Sequence, residues 1–309
     1  MRRLLHLLAV AARSWDEDKA PRLGAALAYY TIFSIPPLLI LLMGVASLVF
    51  NGEVVQGRFL RTLEDLVGSQ GAAAIRDILA SPRTEKPGVL ATVIGTATLL
   101  ISASAVFGHL KDAINTVWEV EVKPTRSIGA FLRKYIFSVM VLLGTGFLLL
   151  VSLAVSTLLS VLGDTLDRYL PGGEGLWAAV DVLFSLAVIT FLFALLYKYI
   201  PDAKVAWKDA IVGGIVTSFL FNVGEYLIGF YLGRTNVGSA FGAAGSLVVL
   251  LVWVYYSSMI FFFGAEFTKA FASEYGSSII PDEDARPVTE EARRQQGIPH
   301  HPPAGADSG

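Results

Sequence analysis

Hydrophobic positions along the chain gather into long, nearly uninterrupted runs that are separated by shorter polar stretches. Each run has the length that an α-helix needs to cross the hydrocarbon core of a bilayer, about 20 residues. There are six such runs, at residues 24–50, 89–110, 135–162, 177–200, 207–232 and 241–271. The pattern predicts an all-α fold, a polytopic membrane bundle of six transmembrane helices that occupies residues 24–275.

The two ends of the chain are more polar than this bundle. Residues 1–23 place Arg2, His6 and Arg13 on one helical face and leucines on the opposite face. This spacing predicts an uncleaved amphipathic helix on the cytoplasmic surface, with a cleavable signal peptide as the alternative interpretation. Residues 276–309 are rich in Pro, Gly and charged residues, so we expect a disordered cytoplasmic tail.

The composition agrees with a membrane protein and narrows its chemistry. The chain has 309 residues, of which 54% are hydrophobic and 16% charged, and its mean hydropathy is +0.60. The net charge of −2 argues against a nucleic-acid partner. With no cysteine and four histidines, the chain offers little material for a metal site. We therefore expect neither a metal nor a cofactor.

Positive charge separates the two sides of the predicted bundle. Seventeen of the 24 Lys and Arg residues lie in the terminal segments and in the loops after the second and fourth predicted spans. The other loops carry seven. Since Lys and Arg are enriched in cytoplasmic loops, both termini are predicted to be cytoplasmic.

A proline pair interrupts the first predicted span. Pro36 and Pro37 lack the N–H groups that would bond the preceding turn, so the helix is expected to be bent or broken near its middle. Tyr29, Tyr30 and Ser34 lie in the same stretch, on the side predicted to be cytoplasmic. These five residues are candidates for lining a cavity, and a purely structural kink is the alternative.

Small and polar residues follow one face of the fifth predicted span. Ser218, Asn222 and Glu225 recur at intervals of four and three residues on this face. Close helix packing is the alternative interpretation of its small residues. An ionisable group inside the membrane usually faces a partner or a wet cavity, which makes Glu225 and Asp181 candidate substrate contacts. Arg234 is a candidate partner for Glu225, and a structural ion pair is the alternative.

Other polar residues near the predicted cytoplasmic ends of the spans have simpler interpretations. Glu266 and Lys269 are three residues apart near the end of the sixth span, and we expect a local ion pair. His109 and Trp118 are expected at the membrane interface.

Three blocks of sequence resemble a known family. They are GAALAYYTIFSIPPLL at Gly24–Leu39, YKYIPDAKVAWKDAIVG at Tyr197–Gly213, and Tyr231–Glu266, notably FGAAGSLVVLLVWVYYSSMIFFFGAE. Over about residues 10–275 the chain is similar to the YihY/BrkB family of bacterial inner-membrane proteins. The resemblance implies six membrane helices with cytoplasmic termini. The names of this family refer to virulence-associated serum resistance and to an old ribonuclease label.

These observations lead to three functional hypotheses. The first is a transporter or flippase-like protein for an envelope lipid or another amphiphilic or anionic solute, with membrane lipids and a possible homo-oligomer as partners. The second is a non-transporting scaffold of an envelope complex, which would use the amphipathic loop 51–87 as its contact. The third and weakest is a ribonuclease, because the acids of the cytoplasmic segments are scattered and lack metal-ligand spacing. We therefore expect that the chain is not an enzyme.

Overall fold

The computed structural model describes residues 2–32, 34, 105–123, 174–234, 245–276 and 279–295. The predicted third span, Pro36, Pro37 and the loop 51–87 lie outside the described residues. So do most of the first two predicted spans. The count of six membrane helices and the broken first helix therefore stay predictions.

The described part of the chain is mostly helical, with short strands only at one end. Its helices are α1 (Arg2–Glu17), α2 (20–32), α3 (105–117), α4 (Glu174–Tyr199), α5 (Trp207–Arg234), α6 (Gly245–Tyr275) and α7 (Glu290–Gln295). Its strands are β1 (Val120–Val122), β2 (Ala203–Lys204), β3 (Ile280–Pro281) and β4 (Ala285–Pro287).

The long helices α4, α5 and α6 correspond to the fourth, fifth and sixth predicted spans. Helices α5 and α6 contain stretches of 25 and 29 residues that are long and apolar enough to cross a bilayer. Helix α5 has Asp209 in its first turn and Arg234 in its last, the arrangement that the helix dipole favours. Helix α6 runs four residues past its predicted end, to Tyr275, and Gly276 follows it.

Helix α5 packs between α4 and α6 at very short distances. A methyl group on Gly214 would stand 2.5 Å from the carbonyl oxygen of Thr190 on α4. At the other contact, Gly264 of α6 faces the hydroxyls of Thr217 and Tyr197. Because only hydrogen occupies the side-chain position of glycine, the backbones can approach each other in the way that membrane helices favour.

Helix α1 forms within the segment for which an amphipathic helix is predicted, and it packs on the second half of α6. Leu7 and Ala11 form a small apolar cluster with Phe267, and the indole N–H of Trp15 donates to the carbonyl of Met259 at 3.2 Å. The opposite face of α1 is exposed, including Arg13. Its location on a membrane surface stays a prediction.

The structure corrects the expectation of a disordered tail for residues 279–295. Strand β4 pairs antiparallel with β1, and β3 pairs antiparallel with β2. The tail is polar, which favours disorder in an isolated segment. Here its backbone groups find partners on two other segments and Arg293 is buried, so the tail is ordered against the bundle. Residues 296–309 lie outside the described part of the chain.

Candidate functional site

Five charged side chains meet where α6 ends. They are Asp18 in the turn after α1, Glu119 in the turn after α3, Glu266 and Lys269 on α6, and Arg293 on α7. We call this group the charged cluster. It joins three carboxyl groups and two cations from four separate segments of the chain.

Both cations of the charged cluster are shared between acids. The amino group of Lys269 lies 2.8 Å from Glu119 Oε1, 3.8 Å from Glu266 Oε2 and 3.9 Å from Asp18 Oδ2. The guanidinium of Arg293 lies 3.1 Å from Asp18 Oδ1 through Nη2 and 3.0 Å from Glu119 Oε1 through Nη1. Glu119 therefore bridges the two cations, and Arg293 ties the tail to the turn after α1.

The charged cluster is buried and contains three carboxyl groups but only two cations. The side chain of Glu266 is fully enclosed, and neither of its oxygens has a hydrogen-bond partner among the described residues. Oδ2 of Asp18 is also buried without a hydrogen-bond partner among the described residues. A buried acid without a donor is unfavourable, and one carboxyl group exceeds the number of cations. Such an arrangement is more typical of functional groups than of a purely structural ion pair.

Two strained turns place the acids of the charged cluster. Lys19, which follows Asp18, and Glu119 both have a φ of 55°, in the left-handed region. Residues other than glycine occupy this region at a cost of about 1–3 kcal/mol, and they persist only where the surroundings determine the conformation. In both cases a helix ends in the turn, so that an acid is directed toward the end of α6.

A second group of polar contacts is centred on Asp202 and also joins the tail to the bundle. Asp202, in the turn after α4, pairs with Lys111 at 2.6 Å and accepts from the amide of Asn115 at 2.8 Å. The carbonyl of Asp202 accepts from the backbone N–H of Asp282 in the tail at 3.0 Å. We call the charged cluster and these contacts together the closed end of the bundle. Trp118, expected at the membrane interface, is instead buried in the core beneath it.

The candidates on the first predicted span are only partly described. Tyr29 and Tyr30 are exposed, and the ring of Tyr30 lies 5.1 Å from the ring of His109. This contact brings the first and second predicted spans together. Ser34 is buried, and its hydroxyl donates to the carbonyl of Thr31 at 3.0 Å, within the same helix.

The candidate face on α5 is partly a packing surface. Ser218 is fully buried, and its hydroxyl lies 2.8 Å from that of Thr190 on α4. Asn222 donates to the carbonyl of Ser218 at 2.8 Å, one turn earlier in α5. These contacts support the packing interpretation for this part of the face. Glu225, further along, is half-buried.

The remaining two candidates give less information. Asp181 lies in α4, but its side chain is outside the described part of the structure. The guanidinium of Arg234 lies 4.0 Å from the centre of the Phe230 ring. The predicted pairing of Arg234 with Glu225 stays a prediction.

Sequence reasoning found one contact of the charged cluster and missed the others. The spacing of Glu266 and Lys269 predicted their pairing. Asp18, Glu119 and Arg293 belong to turns or to the tail, and no periodic pattern connects them with α6. Within the described residues, no three acidic or histidine side chains are placed so that they could hold a metal ion.

A family model and several curated relatives each match most of the chain. The family model described as Virulence factor BrkB matches residues 11–288. The chain is similar to the UPF0761 membrane protein of Pseudomonas aeruginosa strain LESB58, with 31% identity over 262 residues, which are 82% of this chain and 60% of the relative. The UPF0761 membrane protein of Azotobacter vinelandii is 31% identical over 257 residues, which are 81% of this chain and 59% of that protein.

A third relative is more distant and aligns over slightly more of the chain. The UPF0761 membrane protein of Paraburkholderia xenovorans is 27% identical over 276 residues, covering 86% of this chain and 60% of its own length. The chain thus spans about 60% of the length of these curated relatives. No solved structure matches the chain.

Proposed function

Because the chain belongs to the BrkB family of membrane proteins, we propose that it transports an amphiphilic or anionic molecule of the cell envelope, such as a lipid. The charged cluster acts as the gate at the predicted cytoplasmic end. The proposal includes a bacterial inner-membrane location, both termini in the cytoplasm, membrane lipids as partners and a possible homo-oligomer. It assigns no catalytic role to the chain.

The observation that carries this proposal is the buried charged cluster, which joins four segments of the chain and contains one more carboxyl group than cations. A transporter must close one side of its pathway by contacts that can also break. Ion pairs between separate segments suit this purpose, because water can replace them when the end opens. Glu266, which has no hydrogen-bond donor among the described residues, favours such opening, since hydration would satisfy it.

The proposal is tested by lipid and solute flux in proteoliposomes. Glu266→Gln keeps the shape of the side chain and removes its ability to ionise, so opening and hydration of the closed end gain less free energy and the closed form becomes more stable. We expect flux to fall by about tenfold or more, since 1.4 kcal/mol of added gate stability is a factor of ten. Glu274→Gln is the matched control, because Glu274 is a partly exposed acid further along the same helix.

Two results would count against the proposal. Unchanged flux in Glu266→Gln would remove the charged cluster from the mechanism. A wild-type protein that moves neither lipids nor anionic solutes would refute transport altogether. Glu225→Gln, measured beside them, tests the other candidate acid, and unchanged flux would exclude it as a substrate contact.

The alternative function is a non-transporting scaffold. It is favoured by the tight contact of α4 with α5, where Gly214 and Ser218 fill the polar face with helix packing. Loop 51–87 would be the contact surface. Envelope proteins that co-purify with the chain and are lost when 51–87 is deleted, together with absent flux, would establish this function. Ribonuclease activity remains the weakest hypothesis, and RNA cleavage by the purified protein with added metal would revive it.

A further inference from the structure

Helix α1 leaves an apolar groove where it lies against α5 and α6. The groove has a volume of about 350 Å³. Its lining is almost entirely apolar and includes Leu4, Leu7, Val216 and Phe267. Arg3 and Tyr275 complete the lining. This volume lies within the range of ligand pockets in proteins, roughly 300–1,000 Å³.

The groove lies at the level where the two membrane spans end. It uses the early turns of α5 and the last turns of α6. Tyr199 and Trp207, at the end of α4 and the start of α5, are both exposed there, and the amino group of Lys198 lies 5.5 Å from the Trp207 ring. Exposed aromatic rings beside a lysine are typical of the headgroup level of a membrane. The groove therefore opens toward the boundary between headgroups and acyl chains.

The arginines at the start of α1 favour an anionic occupant of the groove. Arg3 lines the groove itself, and Arg2 precedes it on α1. One acid, Glu274, lies beside the groove, where it contacts Nδ1 of His6 at 3.4 Å and the hydroxyl of Tyr275. An apolar slot with an arginine in its wall matches an acyl chain attached to a phosphate. Basic pockets on the cytoplasmic side of membrane proteins bind such headgroups.

We propose that this groove binds one anionic phospholipid from the adjacent leaflet. An acyl chain lies along Leu4, Leu7 and Phe267, and the phosphate pairs with Arg3. The ligand differs from a general annular lipid in its requirement for Arg3. Binding here needs no transport activity, so the flux experiments and the binding experiment can fail separately.

Lipid binding to the purified full chain in detergent micelles tests the proposal, with bound lipids counted by native mass spectrometry. The probes are dioleoyl phosphatidylglycerol, dioleoyl phosphatidylcholine and glycerol 3-phosphate. We expect the wild type to bind phosphatidylglycerol more tightly than phosphatidylcholine. Arg3→Gln should lower the affinity for phosphatidylglycerol about fivefold. Arg2→Gln is the matched control, since it removes the same charge from the neighbouring position and should change binding less than twofold.

A second pair of variants tests the apolar part of the groove. Ile215 lines the groove, and Ile215→Trp fills part of its volume, so it should weaken binding of both lipids. Phe219→Trp, one turn further along the exposed face of α5, should leave binding unchanged.

Three outcomes would overturn the proposal. Equal losses in Arg3→Gln and Arg2→Gln would show attraction to general surface charge only. Competition by glycerol 3-phosphate as strong as that by the lipid would show a free-phosphate site. Unchanged lipid binding in Ile215→Trp would show that the groove is not occupied by an acyl chain.

Discussion

Replacing Arg293 by glutamine tests whether the charged cluster holds the tail on the bundle. The guanidinium contacts Asp18 at 3.1 Å and Glu119 at 3.0 Å, and its side chain is 8% exposed. A glutamine is shorter and uncharged, so it cannot maintain both contacts. Asp18 would keep only Lys269, at 3.9 Å, as a cationic neighbour within the charged cluster.

The size of the effect follows from burial. Removing one partner of a buried ion pair destabilises a protein by about 3–5 kcal/mol. Asp18 is 2% exposed and meets this condition, whereas Glu119 is 37% exposed and keeps Lys269 at 2.8 Å. We therefore expect the lower end of the range, about 3 kcal/mol. The tail can detach without unfolding the helices, so this energy should appear as local opening of residues 279–295.

Amide hydrogen exchange of the purified protein measures this opening. The N–H of Val288 donates to the carbonyl of Glu119 at 2.9 Å, and the N–H of Ala285 donates to the carbonyl of Asp282 at 2.9 Å. In Arg293→Gln, protection of these amides should fall by about 100-fold, which is the factor that roughly 3 kcal/mol represents. Exchange in α5 and α6 should stay as in the wild type.

The matched control is Arg294→Gln, which changes an exposed residue of the same charge at the next position. A double-mutant cycle with Asp18→Asn isolates the pair itself. Its coupling energy should exceed about 0.5 kcal/mol if the two groups interact directly. The reasoning is refuted if Arg293→Gln exchanges no faster than Arg294→Gln, or if the two changes are additive.

Four further changes probe helix packing and the closed end by thermal unfolding in one detergent. Gly264→Ala should lower the midpoint by a few degrees, because the methyl overlaps facing hydroxyls at about 1–3 kcal/mol. Gly229→Ala, with open space at its Cβ, should not lower it. Tyr197→Phe removes two buried hydrogen bonds and should destabilise by about 1–3 kcal/mol. Asn115→Ala removes both hydrogen bonds to Asp202 and should loosen the turn after α4. An unchanged midpoint in Gly264→Ala, Tyr197→Phe or Asn115→Ala would contradict the expectation for that variant, and a lowered midpoint would contradict the one for Gly229→Ala.

The helices were predictable from the sequence because their signals are long and local. An apolar run of more than 20 residues predicts each of the helices α5 and α6 without any knowledge of how the rest of the chain folds. The leucine and arginine faces of α1 likewise predict an amphipathic helix from 16 neighbouring residues. The residue at which each helix ends is harder to predict than the helix itself, because a helix can continue into polar sequence until a residue such as Gly276 stops it.

The closed end could not be predicted because its contacts join distant parts of the chain. Arg293 and Asp18 are 275 residues apart, and no periodic pattern relates them. The strands that order the tail contain two or three residues each, which is too short to distinguish them from loop. Composition predicted disorder for the tail because it measures what a segment can bury alone, not what it can pair with.

Helix α1 connects the two features that the structure brings to this end of the bundle. Leu7 lines the apolar groove, and Asp18, in the turn that follows α1, belongs to the charged cluster. Helix α6 also contributes to both features within one turn. Phe267 lines the groove, and Glu266 and Lys269 belong to the charged cluster. A lipid that shifts α1 must therefore also move Asp18 relative to its cations. If a lipid in the proposed site shifts α1, we expect its binding and the stability of the closed end to be thermodynamically linked, because each depends on the position of the same helix.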